Sequence, residues 1–70
     1  MLNTEFPEIV NQMKLRGEKL LDMVKLLGYK EKSQVSRRLS GEIEWSLGDI
    51  EIICEHYDMD FYKLFKRKEK

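Results

Sequence analysis

Seventy residues with 13 Lys and Arg against 13 Asp and Glu, a single Cys and a single His make one small domain, near the lower limit for a core without a staple. Cys54 alone closes no internal disulfide, and with His56 it falls far short of a zinc set. No apolar run approaches the roughly 20 residues of a membrane span, and the N-terminus has no signal-peptide pattern. The expectation is a reduced, cytoplasmic protein held by helix packing, alone or together with dimerisation.

Met1 to Asn3 are expected to fray. Thr4 is a candidate N-cap, and Pro7 fits a first helical turn, where no intrahelical donor is lost. Phe6, Ile9, Val10 and Met13 then trace one helical stripe, and Gly17 is a natural stop. Lys14 and Arg16 read as solvated. A second helix from about Glu18 to Leu27 carries Leu20, Met23, Val24 and Leu27 at the spacing of one buried face, with Asp22 and Lys25 on its exposed side. Gly28 ends it, and Tyr29-Lys30-Glu31-Lys32 forms a turn. The third helix has only Val35 and Leu39 as apolar anchors. Either Ser33 caps it or it begins near Glu31, and Gly41 marks its end.

Glu42-Ile43-Glu44-Trp45 is a short connection. Ser46 followed by Asp49 is a capping pair for a fourth helix, whose buried face is read as Leu47, Ile50, Ile53, Cys54 and Tyr57. Asp58-Met59-Asp60 turns the chain, and Asp60 is the expected cap of a last short helix holding Phe61, Leu64 and Phe65. Tyr62 lies off that stripe, and the Lys/Arg-rich end, residues 66–70, is expected to be mobile. No strand-like alternation of useful length occurs. The fold class is therefore all-α: residues 1–70 form a single domain, a compact bundle of about five short helices.

Net charge is zero, but its distribution is uneven. Residues 30–41 carry four bases against Glu31, a net +3. Residues 42–60 carry seven acids and no Lys or Arg, a net −7. The last ten residues return to +4. The basic portions attract phosphate; the acidic one is repelled by DNA or faces a basic protein.

Residues 18–41 thus read as two helices joined by a short Gly-containing turn, the second with little to bury and a polar outer face. That is a helix-turn-helix arrangement. Lys30, Lys32, Ser33, Gln34, Ser36, Arg37 and Arg38 are the candidate DNA contacts. Arg bonds bidentately to guanine. Neighbouring helical residues point about 100° apart, so one of Arg37 and Arg38 is expected to read a base and the other to grip phosphate, unless they pair with Glu42 or Glu44. For Ser33, capping competes with DNA contact. Lys30 suits phosphate. Trp45 is a candidate interface anchor, while His56 reads as a surface residue and Cys54 as a small core residue. No nucleophile–base pair, phosphate-cradling glycine loop or metal set occurs, so neither an enzyme nor a cofactor is expected.

Three runs, Ser36-Arg37-Arg38-Leu39-Ser40-Gly41, then Trp45-Ser46-Leu47, then Asp49-Ile50, follow one another in an order and spacing that resemble the phage repressor and Cro type of helix-turn-helix domain. The likeness extends from Leu20 to Phe65 and, with the first helix, covers most of the chain. It sets Trp45 at an aromatic position of the family, which implies a core or half-core role ahead of an interface anchor. It implies a lambda-repressor-like domain whose third helix enters the major groove of double-stranded operator DNA, usually from a homodimer: a sequence-specific transcriptional regulator, phage- or prophage-derived. The chain departs from the family at Leu20, where a phosphate-contacting Gln is frequent, and at Val24, where Ala is common. Its turn is also about one residue longer. Those departures and the acidic segment motivate an alternative, an antirepressor-like module of the same fold that binds another repressor through its acidic or helix-turn-helix surface.

Overall fold

The computed structural model describes residues 4–68, and its helices are α1 (Pro7–Leu15), α2 (Leu20–Leu27), α3 (Lys32–Ser40), α4 (Leu47–Tyr57) and α5 (Phe61–Leu64), with no strand among the described residues. Met1–Asn3, expected to fray, lie outside them, as do residues 69–70 of the basic end. None of the helices is long and apolar enough to cross a membrane.

Local chemistry accounts for most boundaries. Pro7 opens α1, because its fixed φ suits the helix and its missing N–H is one the first turn leaves unpaired anyway. Thr4 is not its cap. The Thr4 hydroxyl accepts the Phe6 N–H at 2.9 Å and donates to the Leu39 carbonyl at 3.1 Å. The Glu5 N–H reaches the same carbonyl at 2.7 Å, so the segment before α1 braces the C-terminal end of α3. α2 begins two residues later than expected, at Leu20, where the Asp22 carboxylate accepts the Lys19 N–H at 2.7 Å. Gly28 ends it in the left-handed conformation, φ +78°. α3 starts at Lys32 with Glu31 in the cap position. Ser33 lies inside the first turn, its hydroxyl 3.4 Å from the Glu31 carboxylate, so the capping role read for it is not taken.

The pair Ser46 and Asp49 closes as expected: the Asp49 N–H donates to Ser46 Oγ at 3.1 Å and the Ser46 N–H to Asp49 Oδ2 at 3.4 Å. The inward row of α4, however, is Asp49, Ile53 and Tyr57, with Ile50 and Cys54 half-buried beside it. Leu47, expected on that face, is 74% exposed. It precedes Asp49 by two residues, or about 200° of helix, so drawing Asp49 inward turns Leu47 to solvent. Asp60 sits in the cap position of α5 without a side-chain cap bond. Phe61 is partly exposed, and Leu64 and Phe65 anchor the element.

The core joins Phe6, Ile9 and Met13 to Met23 and Val24, Val35 and Leu39, Ile53 and Tyr57, and Leu64 and Phe65. Trp45 is half-buried and meets Phe6 and Phe65 edge-on at 6.2 and 5.8 Å, the favoured aromatic geometry. It therefore serves the core. The basic end is tied at Lys68, whose N–H donates to the Glu5 carbonyl at 2.7 Å, so the mobility expected from Lys66 onward does not describe residues 66–68. The radius of gyration, 10.9 Å, is that of a close-packed chain of this length, about 11 Å.

Candidate nucleic-acid interface

α3 is short and polar, and its only fully buried apolar anchors are Val35 and Leu39. With those two inward, Arg37 projects directly away from the body, Ser33 lies one turn before it, and Gln34 flanks them. Lys30 in the turn and Lys32 at the helix start are exposed, as are Ser33 and Arg37, while Gln34 and Ser36 are half-buried. The structure places these six on α3 and in the turn just before it. Ser40 shares the outer surface but donates its hydroxyl back to the Arg37 carbonyl at 2.9 Å.

Arg38 departs from that set. Its side chain is 14% exposed, Nη1 donates to the Gln34 carbonyl at 2.8 Å, and the guanidinium lies over the Tyr29 ring at 4.5 Å from its centre. Arg38 Nε faces Asp49 Oδ2 at 3.7 Å. The pairing expected with Glu42 or Glu44 is not the one observed, and Glu44 instead faces Arg67 at 3.6 Å. The ambiguity between the two arginines thus resolves geometrically, with Arg37 outward and Arg38 inward. Tyr29 completes the group by donating its hydroxyl to Asp49 Oδ2. Burial pushes the Tyr29 phenol up from its ordinary range, the bond to the Asp49 carboxylate and its charge push further, and the Arg38 charge opposes. One carboxylate therefore holds the turn, α3 and the start of α4 together. The sequence carries no sign of this pairing, because the turn position of Tyr29 and the capping role of Asp49 each suffice to explain the residue.

A second polar group sits at the other end of α2. Both oxygens of Glu18 are engaged: His56 Nε2 lies 2.6 Å from one, and the Tyr57 hydroxyl donates to the other at 2.7 Å. His56 is therefore a half-buried tie rather than a surface residue. Arg16, read as solvated, donates to the His56 and Tyr57 carbonyls at 2.9 and 3.3 Å and lies over the Tyr57 ring, where a cation complements the C-terminal end of α4. Burial raises the Glu18 carboxyl, but bonds from Tyr57 and His56 and the charges of His56 and Arg16 outweigh it, leaving the group below its ordinary value. Burial and the Glu18 carboxylate together push the Tyr57 phenol well above its own. Cys54 is half-buried, its thiol pushed up by burial and by the Asp60 charge.

No group of three or more His, Cys, Asp or Glu among the described residues is placed to hold a metal ion. Compared with protein-family models, with curated proteins and with solved structures, the chain matches none.

Proposed function

We propose that this chain is a cytoplasmic, sequence-specific DNA-binding regulator of the repressor or Cro kind, a binding protein rather than an enzyme. α2, the turn and α3 act as its helix-turn-helix. The observation that carries the reading is the outer row of α3: Ser33 and Arg37 are exposed and face away from the body, with the half-buried Gln34 beside them and the neighbouring Arg38 bonded inward. A polar recognition row on a helix with fixed orientation is what major-groove readout requires. Arg37 reads a base edge, Ser33 and Gln34 read or orient beside it, and Lys30, Lys32 and Ser36 fix register on phosphates. A symmetric dimer sets two such helices about 34 Å apart, one turn of DNA.

The test is binding of the purified protein to the DNA upstream of its own gene across a salt series, with Arg37→Ala alongside. Footprinted, salt-sensitive binding to an inverted repeat is expected, with Arg37→Ala losing about 1–3 kcal/mol of discrimination. Affinity that is independent of salt overturns the reading, because phosphate contacts release counterions.

One observation favours a second reading. Glu42, Glu44, Glu51, Glu55, Asp58 and Asp60 are all exposed, an acidic surface fit for the basic face of another repressor. Under this antirepressor reading the chain captures that repressor, and charge reversal at Glu44 and Glu51 abolishes the capture.

A further inference from the structure

We propose that the depression between α4 and α5 is the surface through which this chain meets a second copy of itself, Tyr62 of each copy entering the depression of the other. The inference deepens the dimer element of the reading above by naming its contact, but it rests on the apolar surface alone and is tested without DNA.

Of the large apolar side chains exposed among the described residues, Leu47, Phe61 and Tyr62 gather at one place. A depression of about 130 Å³ is lined there by Trp45, Ile50 and Phe61, together with the buried Phe6 and Phe65. Leu47 lies one turn before Ile50 on the same side of α4. The Tyr62 ring adjoins that of Phe61, centres 5.4 Å apart, and the residue is 80% exposed. The depression is the open edge of an aromatic cluster in which Phe61 stacks on Phe65 at 5.3 Å and Phe65 meets Trp45 edge-on at 5.8 Å. Its volume is that of about four waters, the space of one side chain.

The surface is complementary to itself. The projecting ring and the receiving depression adjoin through Phe61, so a two-fold contact that seats one Tyr62 seats the other. The depression is bordered by one charge of each sign, Glu44 and Arg67, 3.6 Å apart and both exposed. A two-fold axis passing between them opposes each acid to the second copy's base, so the rim adds no repulsion. The Trp45 indole N–H is buried without an acceptor among the described residues, a deficit that costs free energy in the single chain. A phenol brings both the ring that extends the cluster and an oxygen able to accept. A contact over about a tenth of the chain's 5063 Å², roughly 500 Å² per copy, lies at the low end for specific association, so dissociation in the micromolar range is expected.

Trp45 is the sole tryptophan, so its emission reads the depression directly. The test follows that emission, and mass by sedimentation equilibrium, for the full chain between about 1 and 500 μM. A monomer–dimer equilibrium is expected, with the emission shifting over the same concentrations. Tyr62→Ala and Leu47→Gln remove side chains that are 80% and 74% exposed, so folding survives both. Each is expected to weaken the dimer at least about tenfold with helical circular dichroism unchanged. A chain that stays monomeric at the highest concentration overturns the proposal, whether or not a different protein binds there. So does a dimer that ignores both variants, since another surface then holds it. A dimer whose formation leaves Trp45 emission unchanged overturns it as well, since the depression is then empty. Failure of the α3 reading shows separately: a chain that dimerises in this way but prefers no operator keeps the surface and loses that reading, and Arg37→Ala leaves the dimer intact.

Discussion

Asp49→Ala is expected to be among the most damaging single changes in this chain, although the side chain it removes is polar. The Asp49 side chain is 9% exposed, and its carboxylate accepts the Tyr29 hydroxyl, faces Arg38 Nε at 3.7 Å and accepts the Ser46 N–H at 3.4 Å. A hydrogen bond to a charged acceptor contributes about 1.5–3 kcal/mol, and removing one partner of a buried ion pair costs about 3–5 kcal/mol, because the other is left uncompensated. The bond to Tyr29 is part of that same loss, so about 3–4 kcal/mol is expected in all. A domain of this size has only about 4–10 kcal/mol in total. Asp49→Asn keeps shape and an acceptor and is expected to cost about half as much. Urea unfolding at pH 7 followed by helical circular dichroism measures both, with an m-value near 1 kcal/mol/M for so small a chain. A cycle with Arg38→Met gives the coupling, expected at about 1 kcal/mol or more. A loss under about 1 kcal/mol for Asp49→Ala, or coupling within about 0.3 kcal/mol of zero, would refute the role given to this carboxylate.

Gly41→Ala is expected to cost more than Gly28→Ala in the same assay. Both glycines have positive φ, worth about 1–2 kcal/mol against any other residue, but a Cβ at Gly41 would sit 2.8 Å from Glu5 Cγ whereas Gly28 has open space; equal losses would mean the segment before α1 yields freely. Glu18 titrates below its ordinary value of 4.5 in the folded protein, so its stabilisation is complete above about pH 4.5 and disappears as pH falls through the lower folded value. Glu18→Gln should therefore flatten the acid limb of a stability–pH curve, and an unchanged limb counts against the tie. Tyr57 behaves in the opposite sense: its phenol is raised above 10, so stability holds below pH 10 and falls as pH rises toward the folded value. Tyr57→Phe should soften that alkaline loss while costing about 1–2 kcal/mol at neutral pH.

The apolar periodicity made the helices legible, and the glycines made their ends so: Met23, Val24, Val35, Leu39 and Ile53 are buried where their spacing placed them. Errors fell where a polar side chain, rather than an apolar one, decides the facing of an element. The apolar series that Leu47 begins predicts an inward side chain, but Asp49 has its own internal partners and sets the rotation of α4. Arg37 and Arg38 are indistinguishable by type, and only the position of Tyr29, 20 residues before Asp49 in sequence, separates an outward arginine from an inward one. Glu18 with His56 and Tyr57 spans a still longer interval. Local pattern carries no trace of such pairs, since each residue has a sufficient local explanation at a turn, a cap or an exposed face.

The two polar groups are long-range ties between α2 and α4. Glu18 and Tyr29 bracket α2, while Asp49 lies in the first turn of α4 and His56 and Tyr57 in its last. The two helices are thus antiparallel and tied at both ends, with the eight residues of α2, about 12 Å of helix, between the ties. At that separation their energies should add, so Glu18→Gln with Asp49→Asn should lose the sum of the single losses within about 0.5 kcal/mol. The consequences for α3 should differ, because Arg38 joins only the Asp49 end. Amide exchange is the discriminating measurement. Asp49→Asn should speed exchange in α3 beyond what its global loss explains, whereas Glu18→Gln at equal global loss should not. Equal acceleration by both would mean that α3 is held by the core through Val35 and Leu39 alone, and that its orientation owes nothing to Asp49.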